Sequence, residues 1–273
     1  MTEARLREQI CLLARSLFDR GLTHGSTGNI SARTDDGGLL VSPTGTSFGR
    51  LDPGRLSRFD ANGTHIGGDA PTKEMPLHSA FYDTRSTAGA VVHLHSCHSV
   101  ALSMMPDVDV DDFLPPLTPY AIMKLGRVKL LPFFLPGDPA MGAAVRGLAG
   151  KRSAVMLANH GPVVAGKDVE AACNAIEEME ETARLAMMLR GTDARGLTPD
   201  QVQAVVTQFD VEWDTCHAFP PIWAFCGPTV PCPMPCARPM RRGLTRWNAT
   251  GPTTRPQPWS GPRWTRPACT CWA

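Results

Sequence analysis

Nowhere in the chain do about 18 apolar residues run together, the length a helix needs to cross a membrane. Glycines are not arranged in a Walker or dinucleotide pattern, so nothing points to a bound nucleotide. The opening residues, Met1-Thr2-Glu3-Ala4-Arg5-Leu6-Arg7-Glu8, lack the basic-then-apolar layout of a secretory leader. The expected location is therefore the cytoplasm, with no membrane partner. One stretch lacks charge of a particular kind. From Thr215 to Ala273 there is no Asp, Glu or Lys, although seven Arg occur there. The remaining 20 basic and 26 acidic residues leave positions 1–214 with a net charge of −6.

Those last 59 residues also hold six of the nine Cys, five of the six Trp and twelve of the 25 Pro. No hydrophobic period of strand or helix survives among so many prolines. The spacings Cys232/Cys236 and Cys269/Cys271 do not repeat the pairing of a zinc ribbon. Interleaved Arg and Trp would suit a nucleic-acid arm, but no nucleic-acid partner is expected. Loss of every Asp, Glu and Lys with enrichment in Arg, Pro, Trp and Cys is what a GC-rich gene yields in a shifted frame. The expected organisation is a catalytic domain over 1–214 and an irregular, disordered or out-of-frame tail over 215–273. Cys11, Cys97 and Cys173 are too scattered for a disulfide framework, which implies a reducing compartment. Cys11 and Cys173 read as packing residues.

Within 1–214, Leu6, Ile10, Leu13 and Leu17 share one face of a helix ending at Gly21. Loops of small polar residues follow at 23–31, 42–47 and 67–74, with Leu39–Val41 a strand and Glu74 opening a helix to about Tyr82. Gly89–His95, Val128–Pro132 and Ser153–Gly161 read as short apolar strands. From Asp168 a long helix buries Val169, Ala172, Cys173, Ile176, Met179 and Ala183 and turns Glu177, Glu178, Glu180 and Glu181 to water. Met104, Met105, Met187 and Met188 read as packing. Connections are too short for successive βαβ units, so the expected fold is α/β: one three-layer α/β/α domain around a largely antiparallel sheet.

His93 and His95 are two apart in a strand, which points both imidazoles to one side. His160, ending a second buried strand, could complete a three-histidine set whose open position suits catalysis. Glu74 could add a ligand or act as a general base. The small-residue loops offer N–H groups, hydroxyls and the Lys73 ammonium, which suits a phosphate. Among the other histidines, His24 lies near that loop, His78 has a supporting or packing role, His65 is a surface residue, and His98 with Cys97 is carried away from the metal pair.

Gly28-Asn29-Ile30-Ser31, Ser42-Pro43-Thr44-Gly45, Pro71-Thr72-Lys73-Glu74, Val92-His93-Leu94-His95-Ser96 and Ala158-Asn159-His160-Gly161 resemble, in order and spacing, the class II aldolase/adducin family. The resemblance runs from residue 3 to about 213, near where members of that family typically end. Within the family the chain is most similar to the branch that decarboxylates 3-oxo-tetronate 4-phosphates. Leu114-Pro115-Pro116-Leu117-Thr118 and Pro136-Gly137-Asp138-Pro139 carry that narrower likeness.

The resemblance implies one zinc ion per subunit, or another divalent metal, held by His93, His95 and His160. Glu74 would be a fourth ligand that can swing away as catalytic acid or base. It implies phosphate contacts from Asn29, Thr44, Gly45, Thr72 and Lys73, a phosphorylated sugar-acid substrate, and a homotetramer in which Tyr120 reaches a neighbouring subunit. Aldolases tend to carry two serines where this chain has Thr72 and Lys73. An extra cation there suits a substrate carboxylate. The alternatives are a sugar-phosphate aldolase of the fuculose or ribulose type, an epimerase or dehydratase on the same site, and an adducin-like interaction protein without the metal.

Overall fold

The computed structural model describes residues 1–213; the expectations for 215–273 lie outside the described residues. Sequence period and strand length divide the chain into helices α1 (Glu3–Asp19), α2 (Met75–Thr84), α3 (Cys97–Ser103), α4 (Pro119–Leu125), α5 (Pro139–Gly147), α6 (Val169–Leu189) and α7 (Pro199–Phe209). The strands are β1 (Asn29–Arg33), β2 (Leu39–Val41), β3 (Ser57–Phe59), β4 (His65–Gly67), β5 (Ala90–His93), β6 (Lys129–Leu131), β7 (Ala154–Leu157) and β8 (Gly161–Gly166). Side chains at the N-caps set several helix starts: Thr2, Thr118, Asp138, Asp168 and Thr198 each accept a backbone N–H of the first turn, the role for which short polar side chains are preferred.

Among the described residues the strands form one sheet in the order β4-β3-β2-β1-β5-β8-β7-β6. Every pairing is antiparallel except β6 with β7. Strand alternation builds two cores. Ile30, Ala32, Ala90, Val92 and Val164 face α1 and α6, where Ile10, Leu17, Val169, Ile176 and Met179 are buried. Val91, Val155, Leu157 and Val163 face the opposite side and meet Leu77 and Phe81 of α2 and Met141 of α5. The domain is thus the three-layer α/β/α arrangement expected, with a largely antiparallel sheet.

Three expectations need correction. Glu180, read as a wet residue of α6, is buried, because its carboxylate accepts the His98 and Ser99 backbone N–H groups that begin α3. Met104 and Met188 are exposed, whereas Met105 and Met187 pack on the core. Leu13 is only partly buried, and Ala14 takes the face beside Ile10 and Leu17. Cys11, Cys97 and Cys173 are all free thiols. Burial pushes Cys11 up to about 11 and Cys173 up to about 12, so neither is a nucleophile at neutral pH.

Candidate active site

The site lies where β5 ends between β1 and β8, on the α2 side of the sheet. Alternation along β5 sends Ala90 and Val92 to one core and Val91 and His93 to the other face. Asn29 stands directly opposite His93 in the β1–β5 register. The turn from β7 to β8 brings in His160. Its shape requires Asn159 at φ 58°, a left-handed conformation that Asn tolerates better than most residues. Gly161 follows because any Cβ there would run into the Leu94 carbonyl oxygen and crowd the His93 ring. Gly28, at φ 83°, likewise lies so close to β5 that a Cβ would sit 2.9 Å from the His93 carbonyl oxygen.

The three imidazoles converge. Ring centroids are 4.9 Å apart for His93 and His95, 5.0 Å for His93 and His160, and 4.7 Å for His95 and His160. One nitrogen from each lies within 4.8 Å of the other two, a spacing that could hold a metal ion. Glu74 joins them from the N-cap of α2, with Oε2 3.4 Å from His93 Nε2 and Oε1 3.4 Å from His160 Nε2. Its carboxylate makes no capping bond to its own helix, which leaves it aimed at the imidazoles.

The donor set fits a cation. His93 Nδ1–H donates to the Pro162 carbonyl at 2.8 Å, so Nε2 presents a lone pair toward the cluster. That buried Nε2, and both buried ring nitrogens of His160, have no hydrogen-bond partner among the described residues. Buried polar atoms are rarely left so, and a divalent ion would take His93 Nε2 and one nitrogen of His160 at once. Desolvation, then the neighbouring imidazoles, pushes His93 and His95 down to about 3. His160 is lowered by burial against the pull of Glu74. The rings are therefore neutral near pH 7 and able to act as ligands.

A cavity of about 220 Å³ opens beside this cluster, lined by Glu74, His95 and His160. The five residues expected to meet a phosphate, Asn29, Thr44, Gly45, Thr72 and Lys73, line the same cavity. The Asn29 amide is engaged there, donating from Nδ2 to Glu74 Oε2 at 2.7 Å. Tyr120 is exposed at the start of α4 and is not among the lining residues. Exposed His24 does not line it either. His98 turns away to Glu180 at 2.8 Å, and His65 is exposed.

Sequence reasoning missed Pro136 and Gly137, which line the cavity from the loop before α5. It also missed the Pro162 carbonyl that sets the His93 tautomer and the contact between Asn29 and Glu74. The Pro-Gly-Asp-Pro string carried only the narrower family likeness, and the fold alone brings Gly137 against Lys73. A groove of about 410 Å³ beside α6 is larger. Its carboxylates are already taken, Glu177 by Arg20 at 3.0 Å and Glu180 by the start of α3.

The sheet order and the histidine–glutamate cluster define a class of protein that comparison with known sequences makes explicit. Residues 8–187 match the model of the class II aldolase and adducin N-terminal domain, and the chain belongs to that family. It is 47% identical over 202 residues to the 3-oxo-tetronate 4-phosphate decarboxylase of Cupriavidus necator, a match covering 73% of this chain and 93% of the relative. It is 30% identical over 211 residues to the L-fuculose phosphate aldolase of Escherichia coli, covering 76% of this chain and 95% of that one. The crystal structure of Escherichia coli YgbL superposes with a TM-score of 0.73 at 42% identity. That match covers 74% of this chain and 98% of that one.

Proposed function

We propose that this protein is a metal-dependent carboxy-lyase that converts 3-oxo-tetronate 4-phosphate to dihydroxyacetone phosphate and CO2. The observation that carries a metal-assisted lyase is the buried, partnerless nitrogens of His93 and His160 facing the Glu74 carboxylate. The choice of decarboxylation rests on relatives of that name at 42 to 47% identity, against 30% for the fuculose phosphate aldolase of Escherichia coli.

His93, His95 and His160 would hold the ion, zinc in this reading, with Glu74 as a displaceable fourth ligand. The ion supplies Lewis acidity for the charge left on the C2 and C3 oxygens when the C1–C2 bond breaks. The cavity's N–H groups and hydroxyls at Thr44, Gly45 and Thr72 bind the phosphate and fix the substrate's register. Lys73 holds the departing carboxylate. The electron pair from the broken bond forms an enediolate across C2 and C3. Glu74, beside the three imidazoles, manages the C2 hydroxyl proton and delivers a proton to C2, which gives the triose phosphate. A class II aldolase reaches the same enediolate by releasing an aldehyde instead, and the shared cavity makes that the second reading.

The protein acts in the cytoplasm as a homotetramer in this proposal, with Tyr120 exposed on α4 for a neighbouring subunit. Residues 215–273 are an out-of-frame ending, a reading supported by their composition and by a relative covered over 93% of its length by 73% of this chain. Resequencing the DNA around the codons for Trp213 to Cys216 tests it; an intact single frame with no short alternative ending would reject it.

The deciding experiment incubates zinc-loaded protein with 3-oxo-tetronate 4-phosphate and, in parallel, with L-fuculose 1-phosphate. CO2 and dihydroxyacetone phosphate appearing in step from the first substrate are expected. Aldehyde release from the second without CO2 from the first would move the assignment to an aldolase. A version ending at Asp214, run alongside, reads the effect of the remaining residues.

A further inference from the structure

Four buried side chains form a hydrogen-bonded chain that ends on Glu74 and has no part in the reaction described above. Asn29 Nδ2 meets Glu74 Oε2 at 2.7 Å, and Asn29 Oδ1 meets His78 Nε2. His78 Nδ1 lies 2.7 Å from Ser31 Oγ, which lies 2.8 Å from the Tyr82 hydroxyl. Ser31 and His78 are wholly buried, and Tyr82 and Asn29 are each 6% exposed. Helix period stacks His78 one turn above Glu74 and Tyr82 one turn above His78. Strand period sets Asn29 and Ser31 on the face of β1 that meets them.

The carboxylate end dictates the direction of every bond. A carboxylate only accepts, so Asn29 turns its NH2 to Glu74 and its carbonyl oxygen to His78. His78 must then carry its proton on Nε2. A neutral imidazole has a single N–H, so Nδ1 accepts, and Ser31 gives its hydroxyl hydrogen to that atom. The Ser31 oxygen in turn accepts from Tyr82. Burial keeps the ring neutral, pushing His78 down to about 3, with His93 nearby adding to the effect. The opposite tautomer would reverse the chain: Nε2 would accept from the Asn29 NH2, and the amide oxygen would face the carboxylate.

We propose that His78, set in its Nε2–H tautomer by the Glu74–Asn29 end of the chain and accepting at Nδ1 from Ser31, is a positioning residue that holds the Asn29 amide as a donor to Glu74. The inference rests on the proposed role of Glu74 as the acid or base. In that role the carboxylate shifts between neighbours as a proton is moved, and a fixed donor on Oε2 returns it to one orientation each turnover. His78 acts through Asn29, because it is wholly buried and does not itself line the cavity.

The metal-loaded full chain, labelled with 15N at histidine, reads the tautomer directly from long-range proton–nitrogen spectra, with the His78 signal identified by its loss in His78→Gln. A pyrrole-type Nε2 and a pyridine-type Nδ1 are expected, and the reverse assignment would overturn the proposal. Ser31→Ala removes the hydroxyl that donates to Nδ1 at almost constant shape. It should lower kcat about tenfold or more while KM stays within about twofold and metal content is unchanged. Retained kcat, or a loss confined to KM, would overturn it. His78→Gln, which can still present an amide N–H to Asn29, should keep more turnover than His78→Leu, and equal losses would count against a donor role. If the protein released no CO2 from the keto acid phosphate, the tautomer would still decide this inference while the proposed reaction failed separately.

Discussion

The Nδ1–H of His93 donates to the backbone carbonyl of Pro162 at 2.8 Å, and this bond across two strands decides which nitrogen faces the cluster. β5 pairs with β8 so that His93 stands opposite Val163, which brings the carbonyl just before it within reach of the ring. A lone pair on Nε2 is the result, aimed at Glu74, His95 and His160.

Removing a ligand and removing the acid–base group should have different signatures. His95→Ala should lose both bound metal and CO2 release. Glu74→Gln should keep the metal, because three imidazoles remain, and lose roughly a hundred- to ten-thousandfold in kcat, the range of a general acid or base. Metal analysis of the purified variants alongside the CO2 assay separates the two. Metal loss in Glu74→Gln would make that residue an indispensable ligand.

Acid should destabilise the protein in a window set partly by His78. This group is neutral and pushed down to about 3 when folded, against about 6.5 when unfolded. The unfolded chain therefore binds the extra proton, and stability falls as pH drops from about 6.5 toward 3. One such group contributes a slope of about 1.4 kcal/mol per pH unit well inside that window. Urea midpoints measured between these limits should fall less steeply for His78→Gln than for the parent. Parallel curves would show that His78 does not stay neutral in the folded state.

Gly161→Ala should loosen the junction of β5 and β8. The added methyl meets the Leu94 carbonyl and the His93 ring, so the strands must part or the turn must shift. A loss of about 3 kcal/mol in unfolding free energy, together with weaker metal retention, is expected from denaturation and metal analysis. An unchanged midpoint would mean that the turn relaxes freely.

Glu180→Gln tests a helix start distant in sequence from the carboxylate that caps it. Glu180 accepts four bonds, from His98 N, His98 Nδ1, Ser99 N and Ser99 Oγ, at 2.8 to 2.9 Å. The amide puts an NH2 where donors converge, at a cost of about 1–3 kcal/mol. Since α3 begins two residues after His95, metal affinity should weaken with stability. Competition with a chelating dye would show it; stability lost at constant affinity would confine Glu180 to the scaffold.

Lys73→Ser brings this position toward the aldolase pattern. Lys73 lines the cavity next to Glu74, and loss of its cation should raise KM for the keto acid phosphate about tenfold or more, a charge-assisted contact's worth. Steady-state kinetics check this, and an unchanged KM would free Lys73 from substrate recognition.

The long helix from Asp168, the strand Leu39–Val41 and the cores of the strands leading to His93 and His160 were legible from period and punctuation alone. Those signals are local: Asp168 caps its helix within three residues, and alternation along β5 is set by the strand itself. Glu180 was misread for the complementary reason. It stands among glutamates of which Glu177 and Glu178 are half-buried and Glu181 is exposed, and only the packing of α3 against α6 supplies the amides that bury it.

The sequence by itself determined the donor types and their local order: His93 and His95 two apart, although β5 ends at His93 and His95 lies just beyond it, His160 between Asn159 and Gly161, Glu74 at a helix start, and glycines where backbones must touch. Only the tertiary structure decided that these four groups meet, that Pro162 assigns the His93 tautomer, and that Asn29 gives its amide to Glu74. Each of those outcomes depends on strand register and on helix placement over the sheet. A hydrogen bond between residues 45 or 69 positions apart leaves no trace in spacing, because its geometry exists only once β1, β5 and β8 have paired.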